Sequence, residues 1–107
     1  MGAGIVPVAK HNGQLYFLFG KEVYGKKWSD FGGSSNKSES LFDTALREGY
    51  EETDGFLGTK QELWTLVQKN LLGTIEQKNG YKSYLFQIPY DSKLPTYFNA
   101  HHITKIC

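Results

Sequence analysis

Two Asn-Gly dipeptides, Asn12-Gly13 and Asn79-Gly80, each separate two runs of apolar and β-branched residues. Such a pair marks a tight turn, and at Asn12-Gly13 it favours the left-handed backbone of a primed turn, whose twist matches that of two antiparallel strands. The chain is therefore expected to contain two β-hairpins, one with strands over residues 4–9 and 14–19, the other over 73–77 and 81–88. Pro7 interrupts the first run. Proline has no N–H to give to a sheet, so it predicts an edge or bulged strand there. Residues 21–27 read as a polar loop. Residues 28–31 read as a short extended piece running into Gly32-Gly33, and residues 34–38 as a second loop. The tail beyond Pro89 has no clear pattern.

A helix is expected between the hairpins. Ser40 can cap its first turn, and Asp43 three residues on makes an acidic variant of the capping box. Leu41, Phe42, Ala45, Leu46 and Gly49 recur at helical spacing and predict the buried stripe. Gly55 is the stop signal. Residues 60–72 predict a second helix with Leu63, Leu66, Val67 and Leu71 on one side. Strands flanking a central helix imply an α+β or α/β sandwich. The 107 residues suit a single domain over 1–107.

Composition narrows the function classes. Lys+Arg 12 against Asp+Glu 11 leaves a net charge of +1, which excludes a nucleic-acid binder working by bulk attraction. A hydrophobic fraction of 39% with 15% aromatics argues for a folded core. The single cysteine, Cys107, is the last residue, so a disulfide framework is impossible. The longest apolar run, 15–19, is far short of a membrane span, and the N-terminus lacks the features of a signal peptide. A soluble cytoplasmic protein without a membrane partner is expected.

The neutral average hides a local imbalance. Six of the eleven acids (Glu39, Asp43, Glu48, Glu51, Glu52, Asp54) fall between positions 39 and 54, together with Arg47, the sole arginine. Glu48, Glu51 and Glu52 stand at i, i+3 and i+4, which places three carboxylates on one helix face. Each like-charge pair costs roughly 0.2–0.5 kcal/mol. Magnesium or manganese, hard cations that take oxygen ligands, would reverse the sign. Arg47 can brace one carboxylate with its planar fork, for example Glu51 at i+4. The competing reading is a solvated acidic face. Against it, no lysine occurs between Lys37 and Lys60, and the acids follow a glycine pair and a serine-rich loop suited to close approach of backbone to phosphate.

The segment Gly33-x5-Glu39-x7-Arg47-Glu48-x2-Glu51-Glu52 resembles the Nudix box, G-x5-E-x7-R-E-U-x-E-E-x-G-U with U an aliphatic residue. At average residue usage a given window matches these fixed positions on the order of once in ten million. Trp28-Ser29-Asp30-Phe31-Gly32-Gly33 sits where the family has a strand ending in a Pro-Gly-Gly-like element, and it resembles members encoded by large DNA viruses. The likeness covers roughly residues 3–90. The box departs from the pattern at Gly49, in the first aliphatic position, and at Thr53-Asp54-Gly55-Phe56, which reads as one residue inserted before the final glycine. Gly49 is expected to allow close packing against a strand. The resemblance implies a mixed β-sheet sandwiched by helices. Family members usually continue into a further strand and a C-terminal helix, so the chain is short for the family: a truncated or minimal member.

The resemblance also implies an activity, metal-dependent hydrolysis of a nucleoside diphosphate linked to another moiety, with Mg²⁺ or Mn²⁺ activating the water that attacks phosphorus. Glu48, Glu51 and Glu52 would be metal ligands, joined by the Gly32 carbonyl. One of them, or Glu48 through a metal-bound water, would serve as general base. Glu39 and Gly33 would support the cluster and Arg47 would orient it. The family's extra acid from a later loop would be Glu62, Glu76 or Asp91. Lys21, Lys26 and Lys27 would reach phosphates, and Trp28 or Tyr24 would stack on a base; the competing readings are loop solubility for the lysines and core packing for Trp28. Substrates would be free nucleotides, capped RNA or diphosphoinositol polyphosphates. The alternatives are a catalytically weak nucleotide- or polyphosphate-binding module on the same fold, and a plain interaction domain. His11 and His101-His102 lack zinc-ligand spacing.

Overall fold

Both hairpins form. The computed structural model describes residues 1–21, 28–91 and 103–106. Strand β1 (Gly2–His11) pairs antiparallel with β2 (Gln14–Lys21), and the turn between them holds Asn12 at φ 51° and Gly13 at φ 77°. Two consecutive left-handed residues are what a primed turn demands. The second hairpin joins β5 (Leu71–Glu76) to β6 (Lys82–Ile88), with the Gln77 N–H donating to the Tyr81 carbonyl at 2.8 Å and Gly80 at φ 89°. The two hairpins meet in parallel, β1 against β6 from Ala3↔Lys82 to Ala9↔Ile88, which makes the sheet mixed. Three short strands complete it among the described residues: β3 (Trp28–Ser29), β4 (Phe31–Ser34) and β7 (Ile103–Ile106). The order is β3-β2-β1-β6-β5, with β4 on β1 and β7 on β2.

Pro7 lies in a central strand, contrary to the expectation of an edge. The register explains how it is accommodated. β2 pairs β1 from Val8 onward, while β4 pairs β1 from Gly2 to Ile5. Val6 and Pro7 fall where β1 passes from one partner to the other, so a missing N–H interrupts neither ladder. The same parting of β1 from β2 admits residues 28–34, whose first half pairs β2 at Gly20 and Lys21 and whose second half pairs β1. The tail without a pattern contains β7; its four residues are too few to display a period.

Helix α1 (Leu41–Glu52) begins as expected, with Ser40 Oγ accepting from the Asp43 N–H at 3.1 Å. It ends at Thr53, followed by Asp54 at φ 54° and Gly55 at φ 70°. Helix α2 (Lys60–Asn70) opens on a reciprocal capping box between Thr59 and Glu62. It stops at Asn70, short of the expected Leu72. Leu71 is already extended, pairs with Phe86 and is 46% exposed, because the apolar run 71–72 fits a strand as well as a helix.

Ile5, Tyr84, Phe86 and Ile88 on one face of the sheet pack with Ala45 of α1 and Leu63 and Val67 of α2 into one core, with Leu41, Phe42 and Leu46 against it. Both described helices therefore cover the same face. A Cβ on Gly49 would lie 2.6 Å from Ile5 Cδ1, so α1 approaches β1 as closely as backbone allows. Val6, Phe17, Phe19 and Leu85 belong to the opposite face, where they line a cavity of about 520 Å³ with Asp30 and Ser83. Among the described residues no helix is long and apolar enough to cross a membrane.

Candidate active site

The acidic face of α1 is organised by Arg47. Its Nε donates to Glu39 Oε2 at 2.9 Å and its Nη2 to Glu39 Oε1 at 2.9 Å, a two-pronged grip. Nη1 donates to Glu48 Oε1 at 2.8 Å and Nη2 also reaches the Ser34 carbonyl at 3.0 Å. Glu51, the partner expected at i+4, is only a distant contact at 3.8 Å. The fork closes on Glu39 because that residue sits in the loop before α1, where its carboxylate can meet the guanidinium edge-on; one helical turn gives Glu51 no such approach. Glu39 is held from its other side as well. The Asn36 N–H donates to Oε1 at 3.0 Å and Thr44 Oγ1 lies 2.9 Å away. The Arg47 bonds, first, and the Asn36 N–H, second, bring the Glu39 carboxyl down to about 2. Glu39 and Glu48 raise the guanidinium above its ordinary value.

Glu48 is partly buried against β4. A Cβ on Gly33 would stand 2.5 Å from its Cδ and 2.6 Å from its Oε2, so the carboxylate lies on bare backbone that only glycine provides. Glu51 is more open, with its side chain 55% exposed. Desolvation of the carboxyl, and then the charges of Glu48 and Glu51, push the Glu52 carboxyl up although the residue as a whole is exposed. The three expected ligands thus share one helix face and one electrostatic field. Among the described residues, no three His, Cys, Asp or Glu side chains converge as they stand on a point that could hold a metal ion. The donor chemistry nevertheless fits Mg²⁺ or Mn²⁺, since all three offer hard carboxylate oxygens. Convergence requires Glu51 and Glu52 to turn toward Glu48.

A second polar group, unforeseen in the sequence, lies on the other side of β4. Tyr81 Oη donates to Asp30 Oδ1 at 2.8 Å and Ser83 Oγ to Asp30 Oδ2 at 2.6 Å. Burial pushes the Asp30 carboxyl up against the pull of these two donors. Burial, the Asp30 bond and the Asp30 charge push the Tyr81 phenol up, with smaller contributions from Glu48 and Glu52. The signal was Asp30 between β3 and β4, just ahead of the glycine pair; its partners, more than fifty positions on, have no local mark.

The other expected site residues are placed as follows. Glu62 is committed to the α2 cap, its Oε1 accepting from the Thr59 N–H at 3.0 Å. Glu76 ends β5 opposite Lys82, and Asp91 follows β6. Lys26, Lys27 and Tyr24 lie outside the described residues, as do His101 and His102, and Lys21 and Trp28 are described as backbone only. His11 stacks on Tyr90 with ring centroids 4.0 Å apart.

No protein-family model matches the chain. A stretch of 57 residues, 48% of the chain, is 49% identical to the uncharacterized protein L534 of Acanthamoeba polyphaga mimivirus, of which it spans 18%. In three dimensions the chain is similar to the Ap4A hydrolase of C. elegans, with a TM-score of 0.61 and 20% identity over 97% of this chain and 76% of that one. It is also similar to RenU, a Nudix hydrolase from M. smegmatis, with a TM-score of 0.56 and 14% identity over 98% and 68%. A mutT/nudix family protein from Listeria innocua gives a TM-score of 0.52 and 20% identity over 97% and 74%. The chain has the Nudix fold. In this chain the box-like segment, Gly33–Glu52, runs from the end of β4 through the following loop to the end of α1, and the mimivirus likeness agrees with the viral resemblance of residues 28–33.

Proposed function

We propose that the chain is a metal-dependent pyrophosphohydrolase that cleaves a nucleoside diphosphate linked to another moiety by attack of water on phosphorus. One observation carries this reading. Arg47 holds Glu39 at 2.9 Å and Glu48 at 2.8 Å, while Glu51 has only a 3.8 Å contact with the same guanidinium and Glu52 has no ion pair among the described residues. A purely structural network would be expected to balance itself; this one is left with a deficit suited to a divalent ion. Glu48, Glu51 and Glu52, with the Gly32 carbonyl, would hold Mg²⁺ or Mn²⁺. When bound, such an ion lowers the pKa of water, neutralises phosphate charge and aligns the attack. Arg47, fixed by Glu39, keeps Glu48 oriented. The cavity of about 520 Å³ across the sheet is within the size range of small-molecule sites and suits the group carried on the diphosphate. Lys21, Lys26 and Lys27 would contact phosphates and Trp28 a base. Dinucleoside polyphosphates, the class named by the C. elegans neighbour, join free nucleotides, capped RNA and diphosphoinositol polyphosphates as substrates to try.

The test is hydrolysis of this panel with Mg²⁺ or Mn²⁺ by the wild type and Glu51→Gln. Turnover is expected in the wild type and a loss of more than about a hundredfold in the variant, whose fold should persist because Glu51 is exposed. No turnover with any substrate, or full activity in Glu51→Gln, would overturn the proposal. The carboxylates that do not converge as they stand favour one second reading, a weak polyphosphate-binding module. Tight metal-dependent binding without product would select it.

A further inference from the structure

Gly32 and Gly33 are successive residues of one strand, so their missing side chains would point to opposite faces. A Cβ on Gly32 would collide with the Tyr81 hydroxyl and stand 2.5 Å from the Ala3 carbonyl oxygen. A Cβ on Gly33 would stand 2.5 Å from Glu48 Cδ. The Tyr81 hydroxyl and the Glu48 carboxylate therefore abut opposite faces of the β4 backbone at adjacent glycines. The hydroxyl is fixed in turn. Asp30 accepts from it at 2.8 Å and from Ser83 at 2.6 Å. Gly4 pairs with Gly32 on one side and Ser83 on the other, and its own Cβ would lie 2.5 Å from Asp30 Oδ2. The Asp30 side chain thus crosses β1 over a glycine and ties the start of β4 to β6.

We propose that Tyr81 is a positioning residue for the carboxylate cluster. Its hydroxyl, anchored by Asp30 and Ser83, sets how far β4 stands from α1, and so where the Gly32 carbonyl and Glu48 carboxylate lie. The inference rests on the metal-binding reading of that cluster. It adds a residue from outside the box-like segment, acting through backbone.

The experiment is Mn²⁺ binding to the full chain, followed by electron paramagnetic resonance of free Mn²⁺ well below the thermal midpoint, for wild type, Tyr81→Phe, Ser83→Ala and Glu51→Gln. Tyr81→Phe removes one oxygen and is expected to weaken Mn²⁺ about tenfold, as loss of an outer support does. Ser83→Ala, which leaves the hydroxyl against Gly32, should weaken it less. A merely structural role would lower the thermal midpoint of Tyr81→Phe and leave its Kd unchanged. If Glu51→Gln weakens binding and Tyr81→Phe does not, the positioning role is overturned and the metal site stands. If the wild type does not bind Mn²⁺, both are overturned.

Discussion

Arg47 commits its whole guanidinium to two carboxylates and a carbonyl, and that makes Glu39 the anchor of the site although it touches no expected ligand directly. The anchor has a pH signature. Glu39 has an ordinary carboxyl value of 4.5 when free and about 2 in the fold. Folding thus favours the charged form. The stabilisation is whole above about pH 4.5 and fades as pH falls from there toward 2. Glu39→Gln removes the effect. The stability gap between wild type and Glu39→Gln, read from urea midpoints, should therefore be clear at pH 6 and much narrower at pH 3. A gap that stays constant across that range would show that the grip on Glu39 does not depend on its charge. At this scale the sequence was most legible. The spacing of Glu48, Glu51 and Glu52 was enough to put them on one helix face, though not to make them converge, whereas Arg47's partner was not readable, because a loop residue eight positions back competes with i+4 only once the loop geometry exists.

Elements follow from close approach. Gly49 occupies a position where the Nudix box prefers an aliphatic residue, and the reason is Ile5, fully buried beneath it. Helix propensity alone favours Gly49→Ala by about 1 kcal/mol. The collision at 2.6 Å with Ile5 Cδ1 opposes it, and overpacking costs typically 1–3 kcal/mol. The expected outcome is a net loss of about 1 kcal/mol. Ile5→Val deletes Cδ1 but keeps Cγ1, 2.7 Å from the same point, whereas Ile5→Ala removes both, so it is in the Ile5→Ala background that Gly49→Ala should become neutral or stabilising. A double-mutant cycle by chemical denaturation measures this, with a coupling of about 1 kcal/mol or more expected and additivity the contrary result. The caps and turns of both hairpins and of α1 were readable for the same local reason: Ser40, Asn12-Gly13 and Gly80 each act within a few residues. Pro7 misled because its tolerance depends on which strands flank β1, a matter of tertiary register. Leu71 misled because a short apolar run carries no period of its own.

The molecule as a whole brings together what the sequence could only suggest separately. Two hairpins joined in parallel put Asp30, Tyr81 and Ser83 on one side of β4 and the α1 carboxylates on the other, so the charge of the cluster bears on the stability of the sheet. Repulsion among Glu48, Glu51 and Glu52 is borne by the folded state and relaxed in the unfolded chain. A divalent ion bound to the native cluster should turn that cost into a gain of RT ln(1 + [L]/Kd), about 2.7 kcal/mol at a hundred times Kd. For a domain of this size that is a rise in Tm of roughly 10–20 °C. A solvated acidic face would respond differently, through general screening that sodium chloride at equal ionic strength reproduces. Thermal melts of the wild type in Mn²⁺, in matched sodium chloride and after chelation separate the two. The rise should appear in Mn²⁺ alone, reverse on chelation, and shrink in Glu51→Gln and Glu52→Gln. Equal shifts in Mn²⁺ and sodium chloride would reduce the cluster to surface charge, because screening acts on the sum of the charges and coordination acts on their arrangement.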